Sequence, residues 1–280
     1  MYTSFGPGAI GIDLPLPEAA ALAARHGFDA IQVDQAFLTE HGPARWNEVL
    51  ESNGLRAGSA GLPVPVHGED EAFEDALEAL PDHAARIAAT GCRRCSTYIL
   101  PFSDERPYDA QFDHLVARLS PVVEVLAAHD IRLGLEFVGP ETSREGHAYP
   151  FIYDIEGMLE LCAAIDATHT GLLLDCWHWY TSGDTVETLS ALSAEEVIDV
   201  HINDAPDHIP RESVIDSERE LPGATGVIDI EAFLTALDRM GYDGPVMVEP
   251  FSDELEALSP EAATARTMES IETVWERAGL

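Results

Sequence analysis

The 280-residue chain contains no lysine, so each of its 15 basic residues is an arginine. Aldolases that form Schiff bases and enzymes that use pyridoxal phosphate both need a lysine amine. The absence of lysine therefore excludes both of these enzyme classes. A glycine-rich phosphate-binding loop with its lysine is also missing, which favours a substrate without a phosphate group.

Positive charge is scarce as well. Fifteen arginines face 51 acidic residues, and the formal net charge at pH 7 is −36. Nucleic acids and anionic membranes are recognised mainly through basic patches, so this balance predicts neither kind of partner. Such acidity is typical of proteins adapted to concentrated salt, which screens the repulsion between acidic groups. We therefore expect a halophilic protein rather than an ordinary acidic one.

Long apolar runs and cysteines are also few. No run approaches the roughly 18 apolar residues of a membrane span, and no secretory signal is evident, which predicts a cytoplasmic protein. The chain has four cysteines. Cys92 and Cys95 have the spacing of a zinc motif, but no second pair completes it. We expect reduced, structural thiols.

Short β-like apolar runs alternate with longer helical stretches along the whole chain, which is typical of repeated βα units. The predicted strands are Ala9–Ile12, Ala30–Val33, Arg56–Gly61, Arg94–Leu100, Arg132–Phe137, Gly171–Leu174, Val197–Ile202 and Pro245–Val248. The predicted helices include Pro17–His26, Glu71–Ala89, Asp113–His129, Ile155–Ile165, Ile230–Met240 and Ser259–Ala278. Eight strands with helices between them predict an α/β fold, a single (β/α)₈ TIM barrel over residues 1–280.

The last four predicted strands each lead into a carboxylate or an imidazole: Glu136, Asp175, His201 and Glu249. The carboxyl ends of parallel strands meet at one mouth of a barrel. One such acid could simply cap the next helix, but three carboxylates together repel one another unless a cation compensates them. Carboxylates with one imidazole suit Mn²⁺, Zn²⁺, Co²⁺ or Mg²⁺. The sequence therefore predicts one divalent metal ion at the mouth.

Longer motifs around these residues resemble a known family. They are Glu136-Phe-Val-Gly-Pro, Asp175-x-x-His178, His201-Ile-Asn-Asp204, Asp216-Ser-Glu-Arg219-Glu-Leu-Pro-Gly223 and Glu249-Pro. Together they resemble the xylose isomerase-like TIM-barrel superfamily, the sugar phosphate isomerase/epimerase family, over nearly the whole chain. The third and fourth motifs resemble its keto-inositol (inosose) isomerase branch most.

The resemblance implies that the four strand-end residues bind the metal and that His178 contacts a substrate oxygen. It also implies that an arginine in the loop after His201 orients the substrate. Arg211 and Arg219 compete for this role, and Arg219 is favoured because it lies within the Pro-Gly-bearing motif. The ketose epimerases place this arginine closer to the histidine, which counts against a straightforward epimerase.

The expected reaction converts a polyhydroxy ketone, either a keto-sugar or a keto-inositol. A base removes a proton next to the carbonyl, and the metal stabilises the resulting enediolate. Glu136 and Glu249 reach the metal from opposite sides of the mouth, so we expect them to be the catalytic acid and base. Asp175 and His201 would then be pure ligands. A homo-oligomer is compatible with the sequence.

For three further residues the sequence leaves two interpretations open. Arg144 could meet the substrate or form a surface salt bridge. Trp177 could line the sugar site or belong to the core. Asp204 could orient His201 or begin the long loop Asn203–Gly226, which we expect to contribute to substrate binding.

Two rival functions remain. A metal-dependent dehydratase of the inosose or 3-dehydroshikimate type is the alternative, because the same metal and base could expel a β-hydroxyl group. An apurinic-site (AP) endonuclease of the same superfamily needs additional mouth histidines and a basic DNA-facing surface. The net charge of −36 counts against that third function.

Overall fold

The computed structural model describes residues 1–280, in which strands and helices alternate along the chain. The strands are β1 (Tyr2–Phe5), β2 (Ala30–Ile31), β3 (Arg56–Ala57), β4 (Ala60–Gly61), β5 (Arg94–Ile99), β6 (Phe102–Ser103), β7 (Arg132–Phe137), β8 (Tyr149–Pro150), β9 (Thr170–Asp175), β10 (Val197–Ile202) and β11 (Pro245–Val248). The α-helices are α1 (Leu16–Arg25), α2 (Gln35–Asn53), α3 (Asp70–Ala89), α4 (Tyr108–Ala127), α5 (Ile155–Asp166), α6 (Cys176–Ser182), α7 (Val186–Ser190), α8 (Ile230–Met240), α9 (Asp253–Glu256) and α10 (Pro260–Ala278).

Nine of the strands form one parallel sheet in the order β3-β2-β1-β11-β10-β9-β7-β5-β4. The first and last strands of this order, β3 and β4, are separated in the chain only by Gly58 and Ser59. They are the two halves of one interrupted strand, which lies between β2 and β5 and closes the sheet. The result is an eight-stranded barrel, which confirms the predicted TIM barrel.

The beginning of the chain differs from the prediction. The strand predicted at Ala9–Ile12 is wrong, because the first barrel strand is β1 and residues Pro7–Ile10 form a 3₁₀-helix. Pro7 suits a first helical turn, since its φ is fixed and it has no N–H to satisfy. Ile10 is buried, so the apolar pattern there reflects contact with the core and not a pleated strand.

Helix α2 was not predicted, and its sequence explains why. Gly42 has a φ of 77° inside the helix and Pro43 follows it, so the helix is kinked there. The kink shifts the apolar residues out of a single 3.6-residue period. The predicted helix Ile230–Met240, which has no such break, agrees with α8 at both ends.

The four cysteines are free and buried. Burial raises the pKa of Cys92 to about 11 and that of Cys162 to about 12, so both thiols stay protonated near neutral pH. This agrees with a packing role for these side chains.

None of the helices combines the length and the apolar character that crossing a membrane requires.

Candidate metal centre and substrate site

The four strand-end residues of the sequence prediction lie together at the mouth of the barrel. Glu136 is in β7, Asp175 ends β9, His201 is in β10 and Glu249 directly follows β11. These four strands are neighbours in the sheet, so their carboxyl ends converge. One nitrogen or oxygen atom from each residue lies within 4.8 Å of those of the others. All four side chains are buried or nearly so.

Asp175 caps a helix, which is one of the two roles that the sequence left as alternatives, and it also lies in the cluster. Its Oδ1 accepts a hydrogen bond from the backbone N–H of Trp177 at 2.8 Å, which caps the N-terminus of α6. The same oxygen accepts one from Nδ2 of Asn203 at 3.0 Å. Its Oδ2 accepts a hydrogen bond from Nη1 of Arg219, so the contacts on Oδ1 and Oδ2 together fix the orientation of the carboxylate. Asn203 was missed at the sequence level.

The cluster contains buried polar atoms without a partner. Oε1 of Glu136 and Nδ1 of His201 are buried and accept or donate no hydrogen bond. Nδ1 of His201 lies 3.5 Å from Oε2 of Glu249 and 3.9 Å from Oε1 of Glu136. Unpartnered buried polar atoms are unfavourable, and a cation between them would satisfy both. Carboxylates and one imidazole are donors that divalent metals accept, so the residues present fit a metal ion.

The charges of the cluster shift its pKa values in opposite directions. Burial and the nearby charge of Glu249 raise the pKa of Glu136 well above its usual value. Burial opposes ionisation of Glu249 too, but the positive charge of His201 outweighs it and lowers the pKa of Glu249 to about 2. Burial disfavours the charged form of His201, yet the carboxylates around it raise its pKa to about 10. Protons on Glu136 and His201 therefore compensate the carboxylates where no metal does so.

Arg219 reaches the cluster from the loop between β10 and α8. Its Nη1 donates to Oδ2 of Asp175 at 2.8 Å and to Oε2 of Glu249 at 3.1 Å. Its Nη2 donates to Oδ1 of Asp216 at 3.0 Å, and its Nε donates to the Asp216 carbonyl at 2.9 Å. The side chain is only 1% exposed. Arg219 is thus the arginine that the structure brings to the mouth.

Two aromatic rings hold the Arg219 guanidinium from its sides. The centre of the guanidinium lies 5.3 Å from the Trp177 ring and 4.5 Å from the Phe251 ring. Trp177 is fully buried, so it packs within the core beneath the arginine. Phe251 is 39% exposed and has a φ of 39°. Strained backbone of this kind is concentrated at functional sites, and no pattern in the sequence indicates it.

The other two predicted arginines point elsewhere. Arg211 is exposed, and its guanidinium lies beside Gly183 at the end of α6. Arg144 donates from Nη1 to the carbonyl of Gly139 at 2.7 Å, and its guanidinium lies 3.8 Å from the Tyr153 ring. Neither guanidinium contacts the carboxylates of the cluster.

His178 lies beside Glu136 at the mouth and is 2% exposed. Its Nδ1 accepts a hydrogen bond from the backbone N–H of Gly139 at 3.1 Å. Its Nε2 lies 3.8 Å from Oε1 of Glu136. Burial lowers the pKa of His178 to about 3, so the ring is neutral near neutral pH.

Asp204 anchors the loop that carries Arg219. Its side chain accepts hydrogen bonds from the backbone N–H groups of Thr225, Gly226 and Ile228. Its backbone also pairs with that of Glu220. It makes no hydrogen bond with His201. Of its two predicted roles, the contacts correspond to the role in the loop.

The protein is a TIM barrel with a cluster of carboxylates and one imidazole at its mouth. Comparison with known proteins shows to which family of TIM barrels it belongs. Residues 20–274 match the model of the xylose isomerase-like TIM barrel family, so the chain belongs to that family. This confirms the family resemblance recognised in the motifs.

Individual proteins that are similar to this chain have names consistent with this family. An inosose isomerase of Bacillus velezensis is 28% identical over 270 residues, which cover 92% of this chain and 91% of that protein. This chain spans only about half the length of three other proteins named inosose isomerase, from Bacillus subtilis, Halalkalibacterium halodurans and Bacillus licheniformis. A xylose isomerase domain protein from Alicyclobacillus acidocaldarius superposes with a TM-score of 0.90 at 30% identity, with both chains covered completely. The IOLI protein with a bound zinc atom has the same fold, with a TM-score of 0.81 at 21% identity and full coverage of both chains. The names of these relatives support the prediction of a sugar isomerase or epimerase.

Proposed function

We propose that the protein is a divalent-metal-dependent isomerase or epimerase of an uncharged keto-sugar or keto-inositol. The observation that carries this proposal is the buried cluster of Glu136, Asp175, His201 and Glu249, with its two unpartnered polar atoms. Relatives named inosose isomerase support this substrate class. The four residues would hold the metal, and a divalent ion would supply Lewis-acid stabilisation of the negative charge that develops on the substrate oxygens.

Glu136 and Glu249 are suited to move the proton. The pKa of Glu249 is lowered to about 2, so its carboxylate is ionised near neutral pH and is able to accept a proton. The pKa of Glu136 is raised, so this carboxyl group holds a proton more readily. Two carboxyl groups with pKa values pushed apart by their surroundings are typical of an acid and base pair. Glu249 is therefore the proposed base and Glu136 the proposed acid.

The arginines of the site support an uncharged substrate. Arg219 uses four N–H groups on Asp175, Glu249 and Asp216, out of the five that a guanidinium has. Arg144 and Arg211 are directed elsewhere. None of these three arginines is therefore free to pair with a phosphate or a carboxylate of a substrate. This favours a keto-inositol or an unphosphorylated ketose over 3-dehydroshikimate, which carries a carboxylate.

The experiment is a substrate panel in D₂O. Unphosphorylated ketoses and inososes are incubated with the protein and Mn²⁺, Zn²⁺, Co²⁺ or Mg²⁺, and the products are analysed by mass spectrometry and NMR. We expect a product with the mass of its substrate apart from deuterium taken up at the carbon beside the carbonyl. Release of water from an inosose would show the alternative dehydratase reaction. An absence of both deuterium uptake and conversion across the panel would refute the proposal.

We also propose that the protein works as one barrel domain in the cytoplasm at high salt, without a nucleic-acid or membrane partner. Its 51 acidic residues against 15 arginines support the last two points. The four free, buried cysteines are compatible with a reducing compartment. Whether the barrel forms a homo-oligomer is measurable by light scattering.

A further inference from the structure

The backbone N–H of Gly139 donates a hydrogen bond to His178 and thereby determines which of the two ring nitrogens carries the proton. The N–H of Gly139 points at Nδ1 of His178, with the two nitrogen atoms 3.1 Å apart. A backbone N–H is always a donor, so Nδ1 must accept and has no proton of its own. If Nδ1 were protonated, two N–H groups would oppose each other in a buried space. The carboxylate nearest to Nδ1, that of Asp216, is 3.9 Å away and beyond hydrogen-bonding distance.

The position of Gly139 is fixed by its surroundings. A Cβ atom there would collide with the carbonyl oxygen of His178 and the hydroxyl oxygen of Thr181, so the backbone approaches α6 as closely as only glycine allows. On its other side, the Gly139 carbonyl accepts a hydrogen bond from Nη1 of Arg144 at 2.7 Å. The turn after β7 is thereby held on both sides. The backbone N–H of Gly139 consequently stays directed at Nδ1 of His178.

We infer that Gly139 is a positioning residue that fixes His178 as the neutral tautomer with its proton on Nε2. The imidazole then presents an N–H donor on the side that faces Glu136, where Nε2 lies 3.8 Å from Oε1. If the proposed isomerase function is correct, on which this second step rests, His178 meets the substrate oxygen that the family resemblance already assigns to it as an N–H donor and not as a base. Proton transfer is then left to the carboxylates, and His178 stabilises the oxygen on which negative charge develops.

The tautomer is tested directly by NMR, without any substrate. The zinc-loaded protein is labelled with ¹⁵N in its histidines, and the His178→Gln variant identifies the resonances of His178. We expect the pattern of an unprotonated Nδ1 and a protonated Nε2, unchanged between about pH 6 and pH 8, where an ordinary histidine titrates. A proton on Nδ1, or on both nitrogens, would overturn the inference.

A matched pair of variants tests the donor role. His178→Gln places an amide nitrogen near the position of Nε2, whereas His178→Asn reaches only the position of Nδ1. We expect kcat of His178→Asn to fall by about 10²–10³, the usual effect of removing one oxyanion donor, with little change in KM. His178→Gln should keep a kcat at least about tenfold above that of His178→Asn. Equal kcat values in the two variants would contradict a donor at Nε2. If the wild type turned over no ketone, the proposed function would fail while the NMR result still decided the tautomer.

Discussion

Metal binding should release a proton, and the affinity for the metal should therefore rise with pH. In the metal-free protein His201 has a pKa of about 10, and the pKa of Glu136 is raised well above its usual value. A metal ion binds the imidazole only after His201 has lost its proton, whereas Glu136, the proposed acid, keeps its own. Near neutral pH the release of one proton from His201 makes affinity rise about tenfold per pH unit.

The assay is competition for Zn²⁺ against a chelator of known affinity, repeated at several pH values and corrected for the chelator's own protons. Calorimetry in buffers of different ionisation enthalpy counts the protons independently. His201→Asn is the control variant, since it lacks the group that titrates and should lower the slope by about one. An affinity that does not change with pH in the wild type would refute the reasoning.

The same shifts predict how metal-free stability depends on pH. The raised pKa of His201 gives stability that is fully present below its unfolded value and is lost as pH rises towards about 10. Glu136 acts in the same direction, because its folded state prefers the protonated form. Glu249 acts oppositely, but its contribution is lost only as pH falls towards about 2. The gain in Tm on adding metal should therefore increase with pH, and a constant gain in thermal melts would contradict this.

Three other variants and one change of conditions test separate parts of the account. Glu249→Gln should retain metal, although more weakly, while turnover falls by about 10²–10⁴, the usual effect of a positioned base; wild-type turnover with full deuterium exchange would show that the base is another residue. Asp175→Asn should act mainly by lowering metal affinity, so added metal should restore part of the activity, and a loss that metal does not change would contradict a pure ligand. Gly139→Ala should destabilise the fold by about 1–3 kcal/mol because its methyl group meets α6, and denaturant unfolding with no change in midpoint would contradict this. Thermal stability should rise as salt increases from about 0.1 M to about 1 M, where the Debye length shrinks to about 3 Å, and a Tm independent of salt would count against adaptation to high salt.

The barrel and its cluster were predictable from sequence because both follow from buried strands. The residues of β9 are buried at every position, and its apolar run leads directly into Asp175. Strand β10 is also buried throughout, although Asp199 interrupts its apolar run before His201. The position of these polar residues at the mouth of the barrel follows from the parallel topology alone.

Other parts of the site depend on contacts that a linear pattern does not record. Arg219 reaches Asp175 because Asp204 pins the far end of its loop by hydrogen bonds to backbone groups more than 20 residues away. Phe251 covers Arg219 through an unusual backbone angle. The first strand was misplaced because Ile10 is buried in a turn, and burial alone does not distinguish a turn from a strand.

The central claim is that one divalent ion lies among Glu136, Asp175, His201 and Glu249. Crystals grown with Zn²⁺ and measured on both sides of the zinc absorption edge test it most directly. We predict a single strong anomalous peak with one atom of each of the four side chains within roughly 2.0–2.6 Å of it. Crystals that show no peak at the mouth, or a zinc ion bound by other residues, would contradict the claim.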